Sequence, residues 1–311
     1  MSILLTKRLA RSLWRTKLRL SAVVFMVAVG VFAGISFGTY ANAATSLYDG
    51  IYDGEDGVNL ADIWVENPSG IWDETTSENI CSSIVNDWPD STYKLDSCEP
   101  RLILNGMMFT SDPNGYEKPI PAVWHGIDEG LVDKVWMPTY SELSSGRIAE
   151  NPDEIVLDSH IAKALEIEVE DTIEISSGYG KSTYKVVGIG FHSMHLYFAT
   201  EGSSIPAEAG TFATGYMTDE GLEALANLSA GSSNMILIDL EGSPVYDLQS
   251  TTEVNENPEL TKLVNDISAL MYVMDDSPVS VYDRSGVFSV ELLRADAEGA
   301  SKMYPYVTGM I

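Results

Sequence analysis

The run LSAVVFMVAVGVFAGISFGTY, residues 20–40, divides the chain into a short basic part and a long acidic part. It carries no charge, and about twenty residues suffice to cross a hydrocarbon core of about 30 Å at about 1.5 Å per residue. Six Lys or Arg residues precede it, and the first acidic residue of the chain is Asp49. The positive-inside rule therefore predicts a membrane-spanning helix over 20–40 in the cell membrane, with the N-terminus cytoplasmic and the main domain extracytoplasmic.

A cleaved signal peptide is the alternative, since ANAAT at 41–45 resembles a small-residue cleavage site. The basic region and the apolar run are both longer than those of ordinary signal peptides, which favours an uncleaved anchor.

Residues 1–19 form the basic part. Leu5, Leu9 and Leu13 fall on one helical face with cations around it, a pattern typical of a helix lying on membrane lipid. Such a helix could instead dock a cytoplasmic partner.

The net charge of -28 arises from 46 Asp and Glu against 18 Lys and Arg. So acidic a body would be repelled by nucleic acid, and we expect no nucleic-acid partner. We interpret the acidic residues as a solvated surface, not as a metal or cofactor site.

The chain has two cysteines, Cys81 and Cys98, both on the predicted outer side. An oxidising compartment favours a disulfide between them, although two buried free thiols remain an alternative.

Hydrophobic periodicity beyond the apolar run alternates between strand and helix patterns. It predicts an α+β fold, in which a βα-rich domain is interrupted by a β-rich insertion subdomain. The helices include Ser159 to Leu165 and one in ENPELTKLVNDISALM. The expected divisions are a linker at 41–57, the βα-rich part at 58–149 and 242–287, the insertion at 150–241, and a helix at 288–311 leading into a further apolar segment. The family resemblance given below implies that the βα-rich part is porter-like.

Motifs that carry catalysis or bind cofactors are not found, and the sequence predicts no enzyme. His192 and His195 have a spacing that can bind metal on a helix, but no zinc-enzyme pattern surrounds them, so we interpret them as loop histidines. The apolar stretch around them predicts an exposed contact surface for a partner. Its members are His192, Met194, His195, Leu196, Tyr197 and Phe198.

The order of these features resembles the MacB/FtsX-type (type VII) ABC transporter permeases. The closest local match is GRIAENPDEIVLDSHIAKALEIEVEDTIEI, residues 146–175, and the match extends to TYKVVGIG, GYMT, NMILIDL and ELLRADAEGASKMYP. The sequence departs from the family pattern at Glu170, where glycine is usual in a turn. A non-glycine residue there implies a backbone strain of about 1 kcal/mol if φ is positive.

The resemblance implies a permease subunit that couples ATP hydrolysis by a separate ABC ATPase chain to movement of the outer domain. It also implies a second permease copy or homologue, an extracytoplasmic client, and a chain truncated at the start of a second span. The implied ATPase-facing helix contains Lys7, Arg8, Arg11, Trp14 and Arg15.

Two alternatives remain open at this point. One is a single-span, membrane-anchored binding or adhesion protein that needs no ATPase. The other is an anchored hydrolase that uses His192 or His195 with nearby carboxylates.

Overall fold

A computed structural model of the chain describes residues 17–52, 57–111, 116–127, 132–137, 144–178, 180–196, 207–242, 257–274, 279–287, 290–295 and 299. The fold is mixed, with one apolar N-terminal helix and a sheet-rich domain. The chain divides into two compact units. The smaller one comprises the chain up to Tyr48 and two C-terminal stretches, and the larger one comprises Asp49–Tyr246 and Val254–Leu293.

Helix α1 runs from Lys17 to Tyr52 without interruption. Within it, Ser21–Tyr40 is long and apolar enough to cross a membrane, with a mean hydropathy of 2.1. The linker expected at 41–57 is therefore helical through Tyr52. The physical reason is composition, because the alanine-rich stretch after residue 40 contains strong helix formers and no proline.

The first sheet of the larger unit, called the small sheet here, is antiparallel throughout. Its strands are β1 (Ile63–Glu66), β2 (Leu95–Arg101), β11 (Met235–Leu240) and β12 (Ser280–Asp283), in the order β12-β1-β11-β2. Helices α2 (Glu74–Asn86) and α5 (Pro258–Met274) bury Ile80, Ile84, Leu263 and Ile267 against it.

A disulfide joins Cys81 in α2 to Cys98 in β2. Asp73 caps α2 by accepting a hydrogen bond from the Thr76 amide, at 2.8 Å. The small sheet and its first helix are therefore joined both covalently and through their apolar core.

The second sheet closes on itself into a six-stranded barrel. The ring order is β9-β7-β10-β4-β3-β8, and β8 pairs again with β9. The strands are β3 (Ile103–Ser111), β4 (Glu117–Gly126), β7 (Glu154–Asp158), β8 (Thr172–Ser176), β9 (Lys181–His192) and β10 (Ala213–Met217). The two-residue strands β5 (Val135–Trp136) and β6 (Ser145–Gly146) pair with β9.

Side chains of these strands form a large apolar core among the described residues. Trp124, Leu157 and Val186 are among its fully or nearly fully buried members. Helix α3 (Ser159–Leu165), which matches the predicted bounds, and helix α4 (Asp219–Ala226) pack Ile161 and Leu222 against the same core.

Strand pairing places the boundaries of the inserted part differently from the expected 150–241. Residues 103–126 belong to the barrel, and β11, at 235–240, belongs to the small sheet. The chain leaves the small sheet at the single residue Leu102, because β2 ends at Arg101 and β3 starts at Ile103. Local periodicity shows one long extended stretch there and does not indicate that its two halves pair with strands of different sheets.

Candidate functional site

The first part of the segment that resembles the permease pattern, residues 146–154, is held together by close packing and hydrogen bonds. Gly146 has φ +83°, and a Cβ on it would lie 2.2 Å from the Val187 carbonyl oxygen. The next residue, Arg147, donates two hydrogen bonds to the Glu154 carboxylate, at 2.7 and 2.5 Å. The Arg147 guanidinium holds the pKa of Glu154 well below its usual range. The Gly-Arg pair and the later Glu therefore form one structural unit that fixes the start of β7.

The last turn of α1 is anchored in the larger unit. Ile51 and Tyr52 are buried. Their carbonyl oxygens accept hydrogen bonds from the amides of Val58 and Leu60, at 2.8 and 3.1 Å. The chain after the helix is thus held by two backbone hydrogen bonds.

Residues 132–137, called the strap here, connect this segment to the barrel. The amides of Asp133 and Lys134 donate to the carbonyls of Asn59 and Val58, each at 2.8 Å. The Asp133 carboxylate accepts from the Ala61 amide at 2.8 Å and from the Trp64 indole at 3.2 Å. Burial raises the pKa of this carboxyl group, and these donors oppose that rise.

The barrel side of the strap consists of buried imidazoles. Val135 pairs with His192 in the β5–β9 ladder, and His192 Nε2 lies 3.1 Å from the Asp133 carbonyl oxygen. His192 contacts His125, with ring centroids 5.0 Å apart, and His125 contacts His195 at 5.1 Å. These three residues, the last of them in a 3₁₀ turn over Ser193–His195, are called the histidine cluster below.

Sequence-distant strands bring the histidine cluster together. His125 is next to last in β4, and its partner in the neighbouring parallel strand β10 is Tyr216. Tyr216 stacks on His192 with ring planes 22° apart. His192 ends β9. The cluster therefore draws on β4 and β10, which pair, and on β9, which β7 separates from β10. Spacing along the chain gives no sign of it.

Hydrogen bonds fix the protonation state of His192. The Met194 amide donates to its Nδ1 at 3.3 Å, so Nδ1 carries no proton. Nε2 then carries the proton and donates it to the Asp133 carbonyl oxygen. Both nitrogens of His192 are committed to backbone groups, in a neutral ring.

His125 and His195 share one proton between facing nitrogens. Their Nε2 atoms are 3.0 Å apart, so one donates and the other accepts. Burial lowers the pKa of His195 to about 4. Burial first, and then the nearby His192, His195 and Arg101, lower the pKa of His125. Burial, His195 and Arg101 lower that of His192 in the same way.

His192 ends β9 and His195 lies in the 3₁₀ turn after it, and both are buried. Of the predicted contact surface, Met194 and Leu196 are half-buried. Tyr197 and Phe198 lie outside the described residues, as do Lys7, Arg8, Arg11, Trp14 and Arg15.

Neither a metal site nor a hydrolytic pair emerges from the described residues. Within the described ranges, no group of three or more His, Cys, Asp or Glu is arranged to hold a metal ion. The carboxylate of Asp158 hydrogen-bonds the remaining histidine, His160, whose Nδ1 is 2.9 Å away. His192 uses both nitrogens for backbone groups.

Comparison with known proteins finds likenesses among solved structures. No family model matches the chain. No curated protein matches it either. The extracellular domain of the noncanonical ABC-type transporter YknZ from Gram-positive bacteria matches in a structure search with a TM-score of 0.37 and 11% identity, covering 72% of this chain and 100% of that domain. At this identity and TM-score the likeness assigns no function to the chain.

Proposed function

We propose that the chain is a membrane-anchored permease subunit of the MacB/FtsX type. In this proposal its outer domain moves in response to ATP hydrolysis by a separate ABC ATPase chain. The observation that carries the proposal is helix α1, which contains the apolar stretch Ser21–Tyr40 and continues to Tyr52. The segment 146–175 and the later landmarks of the sequence support it.

The proposed mechanism is mechanical and needs no catalytic residue or cofactor. A displacement of α1 would act on Val58 and Leu60 through the carbonyls of its last turn. Val58 in turn accepts a hydrogen bond from Lys134 of the strap, and the strap contacts His192 of the barrel. Continuous hydrogen-bonded elements of this kind can carry a movement without a substrate path through the membrane.

The proposed partners follow from the resemblance. The ATPase would contact the basic helix at residues 1–19, a second permease copy or a homologue would complete the complex, and lipid would surround α1. The client would bind outside the cytoplasm, where the body of the chain carries its acidic surface.

The experiment is purification of the full tagged chain from its native membranes in mild detergent, with ATP hydrolysis as the readout. We expect a stoichiometric ABC ATPase to copurify and its vanadate-sensitive activity to follow the tag. Reversing Lys7, Arg8, Arg11 and Arg15 to Glu should abolish copurification. Exchanging the same residues between Lys and Arg keeps the charge and should preserve it.

The competing function is a single-span binding or adhesion protein. It would be indicated if no ATPase copurified and if the charge reversal changed nothing but membrane insertion. Orientation is a separate readout. A cysteine introduced at the exposed Ser69 should react with a membrane-impermeant maleimide on intact cells, whereas labelling only after lysis would contradict an extracytoplasmic domain.

A further inference from the structure

We propose that the 3₁₀ turn Ser193–His195 is an acid-released latch, which neutral histidines hold against the barrel and which protonation detaches while both sheets remain folded. The inference concerns contacts within the outer domain. It goes beyond the permease role and does not require an ATPase.

Two side-chain hydrogen bonds of the histidine cluster hold the turn. The Met194 amide donates to His192 Nδ1, and the His195 ring is hydrogen-bonded to His125. Both involve an imidazole lone pair, which is the group that takes up a proton in acid. Protonation of these lone pairs therefore removes two hydrogen bonds that hold the turn.

Protonation of His192 acts directly on the first contact. Its Nε2 already carries a proton for the Asp133 carbonyl, so a second proton can enter only at Nδ1. The Met194 amide would then face an N–H group at about hydrogen-bond distance, which replaces an attraction with a repulsion. The bond to the strap survives, since Nε2 remains a donor.

The His125–His195 contact breaks at the second proton. One added proton can enter at an outward nitrogen of the donor ring and leave the shared Nε2–H···Nε2 bond intact. When both rings are charged, each Nε2 carries a proton, and two N–H groups cannot face each other at 3.0 Å. The latch thus tolerates a first proton on this pair and releases at the next.

Surrounding charges give the protonated cluster little compensation. The ionisable groups that face it from the neighbouring elements are Arg101 of β2, Asp133 of the strap, Asp158 and His160 at the end of β7 and the start of α3, and Tyr216 of β10. Arg101 is buried and repels added positive charge. Asp133 binds the Ala61 amide and the Trp64 indole, and Asp158 binds His160, so both carboxylates already have hydrogen-bond donors outside the cluster.

Release would present a surface that neutral pH conceals. Met194 and Leu196 are half-buried, and His195 is buried, in the closed form. After release they would form an apolar stretch that carries positive charge. A domain with this latch would offer that contact surface only in an acidic medium.

Hydrogen–deuterium exchange on the full chain in nanodiscs tests the proposal. Protection factors, each corrected for the intrinsic rate at its pH, are compared at pH 7.4 and pH 5. We expect protection of the amides at 193–196 to fall at least tenfold, while the amides of β11 keep protection far above that of an unfolded chain. Unchanged protection at 193–196, or complete loss of protection in β11, would overturn the proposal.

Variants separate the histidine cluster from other acid-sensitive groups. His192→Asn keeps an acceptor for the Met194 amide without a titrating ring, and His125→Gln with His195→Gln keeps a donor and an acceptor. We expect the triple variant to lose the pH dependence at 193–196. His160→Asn is the control and should retain the full pH response at 193–196. Loss of that response in the His160→Asn variant would refute the assignment of the response to the histidine cluster. If the triple variant does not fold, His192→Asn alone should still reduce the tenfold change.

Discussion

Arg284 and Asp62 form an ion pair inside the larger unit, with 3.1 Å between Nη2 and Oδ1 and exposed side-chain fractions of 3% and 1%. Arg284 also donates to the carbonyls of Leu60 and Ala61. Asp62 accepts from the Leu240 amide at 3.0 Å. The pair therefore ties the chain after helix α1 to β11 and to the turn that follows β12.

Replacing Arg284 with Met should destabilise the domain by about 3–5 kcal/mol, because Asp62 would be left charged and buried without its cation. Denaturant unfolding followed by tryptophan fluorescence measures the change. Lys262→Met is the matched control, since its pair with Asp266 is exposed and worth about 0–1 kcal/mol. Equal effects of the two substitutions would contradict the prediction.

Acid should weaken the domain through the histidine cluster. The folded pKa of His195, about 4, lies below the ordinary histidine pKa of 6.5, so the unfolded chain binds the proton more readily. The stabilisation is fully present above about pH 6.5 and is lost as pH falls toward 4. His195 alone accounts for at most about 2 kcal/mol between pH 7 and pH 5. Denaturant midpoints across this range measure it, and His195→Gln should flatten the slope.

Glu170 should be a site of stabilisation by glycine. Its φ of +82° is strained for a residue with a Cβ. Its ion pair with Lys185 is largely exposed, so little is lost with the side chain. We expect Glu170→Gly to raise the free energy of unfolding by about 0.5–1 kcal/mol. Glu168→Gly in the same turn, where φ is not positive, should not raise it.

Gly106 should not tolerate alanine. An added Cβ would lie 2.0 Å from the Ser176 carbonyl oxygen and 2.3 Å from Trp124 Nε1, which hydrogen-bond each other at 2.9 Å. Displacing that buried bond should cost about 2 kcal/mol or more. Gly50→Ala, with no atom within 4 Å of the new methyl group, should be neutral or stabilising. Thermal unfolding of both variants compares them.

Reduction of the Cys81–Cys98 disulfide should destabilise the small sheet. Its sequence separation of 17 predicts a loss of about 3 kcal/mol from loop entropy. A reducing agent should lower the unfolding midpoint of the native chain and leave that of the Cys81→Ser, Cys98→Ser variant unchanged. An effect of equal size on the variant would indicate that the reagent acts elsewhere.

Local sequence signals predicted the elements well where each is short and capped. Ser159–Leu165 lies between Asp158, whose side chain caps the helix, and Glu166, whose left-handed conformation ends it. The apolar run at 20–40 predicted a helix long enough to span a membrane, which the structure contains.

Long-range pairing was beyond the same signals. No local sequence signal separates Arg101 from Ile103, although Arg101 ends a strand of the small sheet and Ile103 begins a strand of the barrel. The histidine cluster was missed for a related reason, since His125 lies far from His192 in sequence, and the pairings of β4 with β10, β10 with β7 and β7 with β9 bring them together. A clue was available only in composition: the stretch around His192 is too apolar for an ordinary solvent-exposed loop.

Asn234 stands beside the single residue at which the chain leaves the small sheet. Its backbone amide donates to the Arg101 carbonyl at 3.0 Å. Its side chain accepts a hydrogen bond from the Ile103 amide and donates one to the Ile103 carbonyl. The points at which the chain enters and leaves the barrel are thus adjacent, so the barrel is an inserted cassette whose two ends lie side by side. Such a cassette could be deleted, or replaced by another, with one short splice and without altering the pairing of β2 with β11.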